Sequence, residues 1–175
     1  MYRALIVDDE PIALDSIEFI IKNNLSSIEI VGKSRSGRDA IEKAYNTRPD
    51  IIIMDINMPG INGLEAMRQI RRINPEVRLI VASAFDYFDY AVESVALDVD
   101  EYLLKPVRET RLVEALQKVM IAIDERRERV RREMAMKEKF ELVIPVLETG
   151  FINSLCIFEV LSTTLLSLTH MVTRL

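Results

Sequence analysis

Short apolar runs rich in isoleucine and valine alternate with longer stretches of helical spacing, and that alternation admits few folds. The runs are Ala4–Val7, Ile28–Val31, Ile51–Met54, Leu79–Ala82 and, more weakly, Tyr102–Leu104. Between them, helical spacing covers Ile12–Ile21, Gly37–Tyr45, Leu64–Ile73 and Phe88–Val95. A strand with no polar face must be covered on both sides, which is the situation of a parallel sheet built from βαβ units. Five such strands in about 110 residues predict an α/β protein: a flavodoxin-like, doubly wound, five-stranded parallel sheet.

Local signals keep the same register. Asp8 or Asp9 followed by Pro11 makes a good helix start, because proline in the first turn gives up an N–H that has no partner there. Pro49 closes the second helix and Asn74-Pro75 the third, since the residue before a proline is pushed out of helical geometry.

From Arg108 the pattern changes to a long C-terminal helical extension. No glycine or proline falls between Val107 and Ile144. Val113, Leu116, Met120, Ile123, Val130 and Met134 follow alternating three- and four-residue steps, with Arg127 the charged intruder. That is coiled-coil spacing, and Asp124 to Lys139 interleaves both signs of charge as a solvated helix does. One long helix packed on its own domain fits the pattern, as does a dimerising linker; a seam that outruns a small domain favours the linker and a homodimer. Pro145 and Gly150 break this helix, and Phe151, Leu155, Phe158, Leu161, Leu165, Leu168 and Val172 form another stripe. The expected organisation is a domain over 1–123, a coiled-coil linker over 124–144, and over 145–175 a helical segment that begins a further, incomplete domain.

Bulk properties enter as exclusions. At 175 residues and 49% hydrophobic the chain can bury a real core, which disordered sequences cannot. A net charge of −5 argues against direct nucleic-acid binding, which needs a basic face. The one cysteine, Cys156, fits a reducing cytoplasm and reads as a small buried hydrophobe; His170 has no ligand partners in sequence. Phe151 to Val172 has the length of a membrane span, but Asn153, Glu159 and His170 interrupt it, so no membrane association is expected.

In an open parallel sheet, ligands gather at the carboxyl ends of the strands. Asp8 and Asp9 follow the first strand and Asp55 the third, and these two strands are neighbours in the usual order. Converging carboxylates repel unless a cation joins them, and hard oxygen ligands without nearby histidine or cysteine favour magnesium. Singly, Asp8-Asp9 could be a helix cap and Asp55 a turn residue. Two further residues reach the same edge: Ser83 at the end of strand four, and Lys105 before Pro106, where a cis bond would turn the lysine inward. A carboxylate nucleophile, a magnesium ion, an ammonium and a hydroxyl are the parts of phosphoryl transfer. Asn57, in the loop Asn57-Met58-Pro59-Gly60, can offer its carbonyl to the metal.

Taken together, Val7-Asp8-Asp9-Glu10-Pro11, Met54-Asp55-Ile56-Asn57-Met58-Pro59-Gly60 with Gly63, Ser83-Ala84 and Lys105-Pro106 resemble the motif set of a response-regulator receiver domain from a bacterial two-component system. The resemblance covers residues 1 to about 127. It implies that Asp55 is the phospho-acceptor and that Asp8, Asp9, Asp55 and the Asn57 carbonyl organise magnesium. It implies also that Ser83 and Lys105 bind the phosphoryl group, that Ser83 and Tyr102 switch, and that a sensor histidine kinase is the donor. Read from the residues alone, Tyr102 is a half-buried strand residue. The segments Ser83–Ala91 and Asp100–Val107, with Phe140 to Leu155, resemble regulators carrying an AraC-type helix-turn-helix output domain, through which DNA would be contacted; that domain is not within these 175 residues. The implied role is a phosphorylation-controlled switch, catalysing only its own phosphorylation and dephosphorylation, that signals through dimerisation to a transcriptional output. A magnesium phosphatase would need a second acid–base aspartate where Asn57 stands. A nucleotide or flavin binder would need a glycine-rich phosphate loop where Asp8-Asp9 stands.

Overall fold

A computed structural model of the chain describes residues 1–84 and 98–138. The helical spacing over Phe88–Val95, the aromatic cluster Phe85, Tyr87, Phe88 and Tyr90, and everything expected of residues 139–175, including Cys156 and His170, lie outside the described residues. The chain divides into two compact units, Met1–Glu125 and Arg126–Leu175.

In the first unit β1 (Tyr2–Val7), β2 (Ile28–Ser34), β3 (Ile51–Asp55), β4 (Arg78–Ser83) and β5 (Glu101–Leu104) form one sheet in the order β2-β1-β3-β4-β5. Every neighbouring pair is parallel. The connections described are α1 (Pro11–Asn24), α2 (Gly37–Thr47) and α3 (Gly63–Ile73). A further helix, α4, covers residues 109–138. This is the flavodoxin-like sheet that the apolar runs predict.

Side chains alternate across a strand, so each apolar run feeds two cores. Ala4, Ile6, Ile51 and Ile53 pack with Leu14, Ile17 and Ile21 of α1 and with Leu112, Leu116 and Val119 of α4. Leu5, Val7, Ile52 and Met54 pack on the other face with Ala40 and Ala44 of α2 and Leu64, Met67 and Ile70 of α3. Burying each large aliphatic side chain is worth about 1.5–3 kcal/mol, which is why the central strands tolerate no polar residue until their ends. Asp55 and Ser83, buried and polar, terminate β3 and β4.

Three local outcomes differ from the sequence reading. The N-cap of α1 is Glu10, which makes no side-chain cap; Asp8 instead accepts the Glu10 N–H at 3.0 Å, so its carboxylate is turned to the sheet edge rather than spent on the helix. β2 runs on through Gly32 and Lys33, which are only partly buried on this edge strand, to the buried Ser34, whose hydroxyl is held by Asp39. Its register against β1 jumps between Ala4 and Leu5. In α4, Leu116 and Ile123 of the expected seam are buried in the domain core, with Val113 and Met120 partly buried against it. Val130 and Met134 are exposed.

Candidate functional site

The parallel order brings the ends of β1, β3 and β4 side by side. Asp55 pairs with Ala82 of β4, one residue short of Ser83, and Val7, which precedes Asp8, pairs with Met54. One carboxylate oxygen each from Asp8, Asp9 and Asp55 lies within 4.8 Å of the others. Asp8 is fully buried and Asp55 is 5% exposed.

Lys105 closes this cluster. Its Nζ donates to Asp55 Oδ2 at 2.8 Å and forms an ion pair with Asp8 Oδ2 at 2.7 Å. Asp8 Oδ2 is buried beside the Lys105 ammonium. The Lys105–Pro106 bond is cis, and the Lys105 N–H donates to the Ser83 carbonyl at 2.8 Å.

The charges respond to this crowding. Burial pushes the Asp8 carboxyl above its ordinary value; Lys105 and the Glu10 N–H pull the other way, and the Asp55 charge adds to the rise. Burial alone would lower Lys105, but the hydrogen bonds and charges of Asp55 and Asp8 outweigh it and hold the ammonium above its usual range. Asp55 Oδ1 accepts the Asn57 N–H at 3.2 Å, so the loop after β3 curls back over the acid that begins it. Gly63 sits so close behind that a Cβ there would stand 2.0 Å from the Asp55 carbonyl oxygen. Only a glycine fits.

The donor set suits a divalent cation. Three hard carboxylates converge, and one buried oxygen, Asp8 Oδ2, has spare acceptor capacity that a cation would use. Ser83 is fully buried at the end of β4, and Tyr102 is partly buried on β5, against the core beneath α2 and α3. A groove lined by Glu10, Ile12, Ala13, Ala84, Lys105 and Pro106 opens beside the acids. Sequence reasoning passed over Ser34 and Arg35. Ser34 is buried, and its carbonyl accepts the Asp8 N–H at 3.0 Å; Arg35 donates to the Asp9 carbonyl. Neither sits in an apolar run or a motif, and contact alone discloses them.

Among the described residues no helix is long and apolar enough to cross a membrane. A family model for the response regulator receiver domain matches residues 4–117. The chain is 35% identical over 142 residues to an uncharacterized transcriptional regulatory protein, YesN, of Bacillus subtilis, covering 81% of this chain and 38% of that one. It is 37% identical over 117 residues to the chemotaxis protein CheY of Thermotoga maritima, covering 67% of this chain and 96% of CheY. Among solved structures, the REC domain of AraT, a response regulator from Geobacillus stearothermophilus, superposes with a TM-score of 0.68 at 36% identity, covering 72% of this chain and 98% of that domain. Receiver domains are signalling switches of two-component systems, phosphorylated by sensor kinases, and they bind magnesium at an acidic pocket. The chain belongs to the response regulator receiver family.

Proposed function

We propose that Asp55 accepts a phosphoryl group from a sensor histidine kinase, in a magnesium-dependent step, and that the modified domain signals through dimerisation to a transcriptional output domain. One observation carries this: carboxylate oxygens of Asp8, Asp9 and Asp55 within 4.8 Å of one another, with the Lys105 ammonium on two of them. An Asp55 oxygen attacks phosphorus, a P–O bond forms, and the P–N bond to the donor imidazole breaks, its nitrogen keeping the electron pair. Asp8, Asp9, Asp55 and the Asn57 carbonyl would hold magnesium, which would supply charge neutralisation for the transferring oxygens. Lys105 moves its pairing from the Asp55 carboxylate to the phosphoryl group, and Ser83 donates its hydroxyl to a phosphoryl oxygen.

Ser83 and Tyr102 are the switch pair in this reading, since they stand on β4 and β5 next to the reacting edge. The donor docks over the groove between Glu10 and Pro106, where Ile12 is 83% exposed. The output is transcriptional because YesN is named a transcriptional regulatory protein and this chain spans 38% of its length, within which residues 1–123 act as the receiver, 124–144 as a linker and 145–175 as the start of a further domain. DNA is contacted by that output domain, in the cytoplasm.

Incubation with acetyl phosphate and magnesium tests the site. One phosphoryl group should appear on the chain, at Asp55, and chelating the magnesium or substituting Asp55→Asn should abolish it. Labelling that persists in the Asp55→Asn chain, or that needs no divalent cation, would overturn the assignment.

A further inference from the structure

The turn between β2 and α2, residues Ser34–Gly37, lies against both loops that carry the acids. Toward the first loop, the Ser34 carbonyl accepts the Asp8 N–H at 3.0 Å, and Arg35 brackets the Asp9 carbonyl with Nε and Nη2, each at 3.3 Å. Toward the second, Gly37 is buried against Ile61, in the loop that joins Asp55 to α3. A Cβ on Gly37 would stand 2.3 Å from the Ile61 carbonyl oxygen, a backbone atom that cannot swing aside.

The turn is itself pinned. The buried Ser34 hydroxyl is 2.6 Å from Asp39 Oδ2, which also takes the Lys43 ammonium at 2.7 Å, and the Ser36 hydroxyl caps α2 by accepting the Asp39 N–H. Burial would raise the Asp39 carboxyl, but Lys43 and Ser34 overcome it and hold it low and charged. A stiff piece of chain therefore touches each acid-bearing loop from outside the pocket.

We propose that Arg35 is a positioning residue for cation binding, holding the Asp8-Asp9 backbone in the geometry that lets three carboxylates share one ion, with Gly37 giving the same turn its close seat on the Asp55 loop. The proposal rests on the reading of Asp8, Asp9 and Asp55 as magnesium ligands. Charge and position predict opposite signs here. A guanidinium near the pocket repels a divalent cation, so losing its charge should tighten magnesium binding. Losing its grip on the Asp9 carbonyl should weaken binding, because partners that orient metal ligands commonly set affinity by tenfold or more.

Calorimetric titration of magnesium chloride into the full chain decides between them. With each protein fully folded, Arg35→Ala should bind magnesium roughly tenfold more weakly than the parent, with an unchanged urea midpoint in the absence of metal. Arg35→Lys, which keeps one donor, should fall between. Gly37→Ala should weaken binding in the same direction; should it fail to fold, Arg35→Ala still decides the matter. Equal or tighter binding by Arg35→Ala overturns the proposal. A parent chain that binds no magnesium overturns instead the ligand assignment beneath it.

Discussion

The charges outside the pocket are set by their neighbours as firmly as those inside it. Glu18 on α1 sits 2.6 Å from both the Lys22 and the Lys33 ammonium groups. The hydrogen bonds to Lys22 and then Lys33 lower its carboxyl from the ordinary 4.5 to about 2. A depressed acid stabilises the fold at pH values above its unfolded pKa, and that contribution is lost as pH falls through 4.5 toward 2. The contribution is small, since surface pairs are screened by water and salt. The titration itself is the sharper measurement: the Glu18 side-chain carbonyl resonance should move with a midpoint near 2, and in the Lys22→Ala, Lys33→Ala double variant it should return toward 4.5. A midpoint that stays at 4.5 in the parent would mean these ammonium groups do not hold Glu18 in solution.

At the scale of elements, the sequence discloses what it must bury and hides what it merely touches. β3 is legible because Ile51, Ile52, Ile53 and Met54 are all buried, leaving no polar residue to blur the run. Asp55 stands out because it is the first charge after them. The tail of β2 is illegible for the converse reason: Gly32 and Lys33 are only partly buried on the edge strand, and Ser34 is a buried polar residue held by Asp39 rather than an apolar one. α4 misleads through its periodicity, since a heptad-like seam and the apolar stripe of a helix packed on a sheet share the same three- and four-residue steps. Leu112, Ala115 and Val119 broaden that stripe and assign its first half to the core. The start of α3 is a place where an element boundary bears on the site. Asn62 caps it by accepting the Glu65 N–H at 2.8 Å, and the same residue ends the loop that begins at Asp55. Asn62→Ala should therefore lower stability by about 1 kcal/mol, read as a reduced urea midpoint at constant slope. An unchanged midpoint would mean that water replaces the cap at no cost.

At the scale of the whole molecule, the question is what covers the apolar residues of α4 that the domain does not. Leu116 and Ile123 are buried within the first unit, so the seam they were expected to share with a partner is already occupied there. In the second unit Val130 is 38% exposed and Met134 is 67% exposed, four residues apart on a stretch of helix where most other positions are charged and Met136 is likewise exposed. Glu128 pairs with Arg131 and Arg132 within that same stretch, so those three ionic groups are engaged along the helix. Covering each such side chain in a partner helix is worth about 1.5–3 kcal/mol, and a two-fold interface uses every contact twice. Replacing both, as Val130→Lys with Met134→Lys, removes that gain and sets like charges across the seam. Sedimentation equilibrium should then show a dissociation constant raised well over tenfold, since each 1.4 kcal/mol is a factor of ten. The thermal midpoint of the sheet domain should not move, because neither residue contributes to its core. If the double variant self-associates as the parent does, α4 does not dimerise through this stripe, and the signal proposed for Asp55 must leave the domain by another surface.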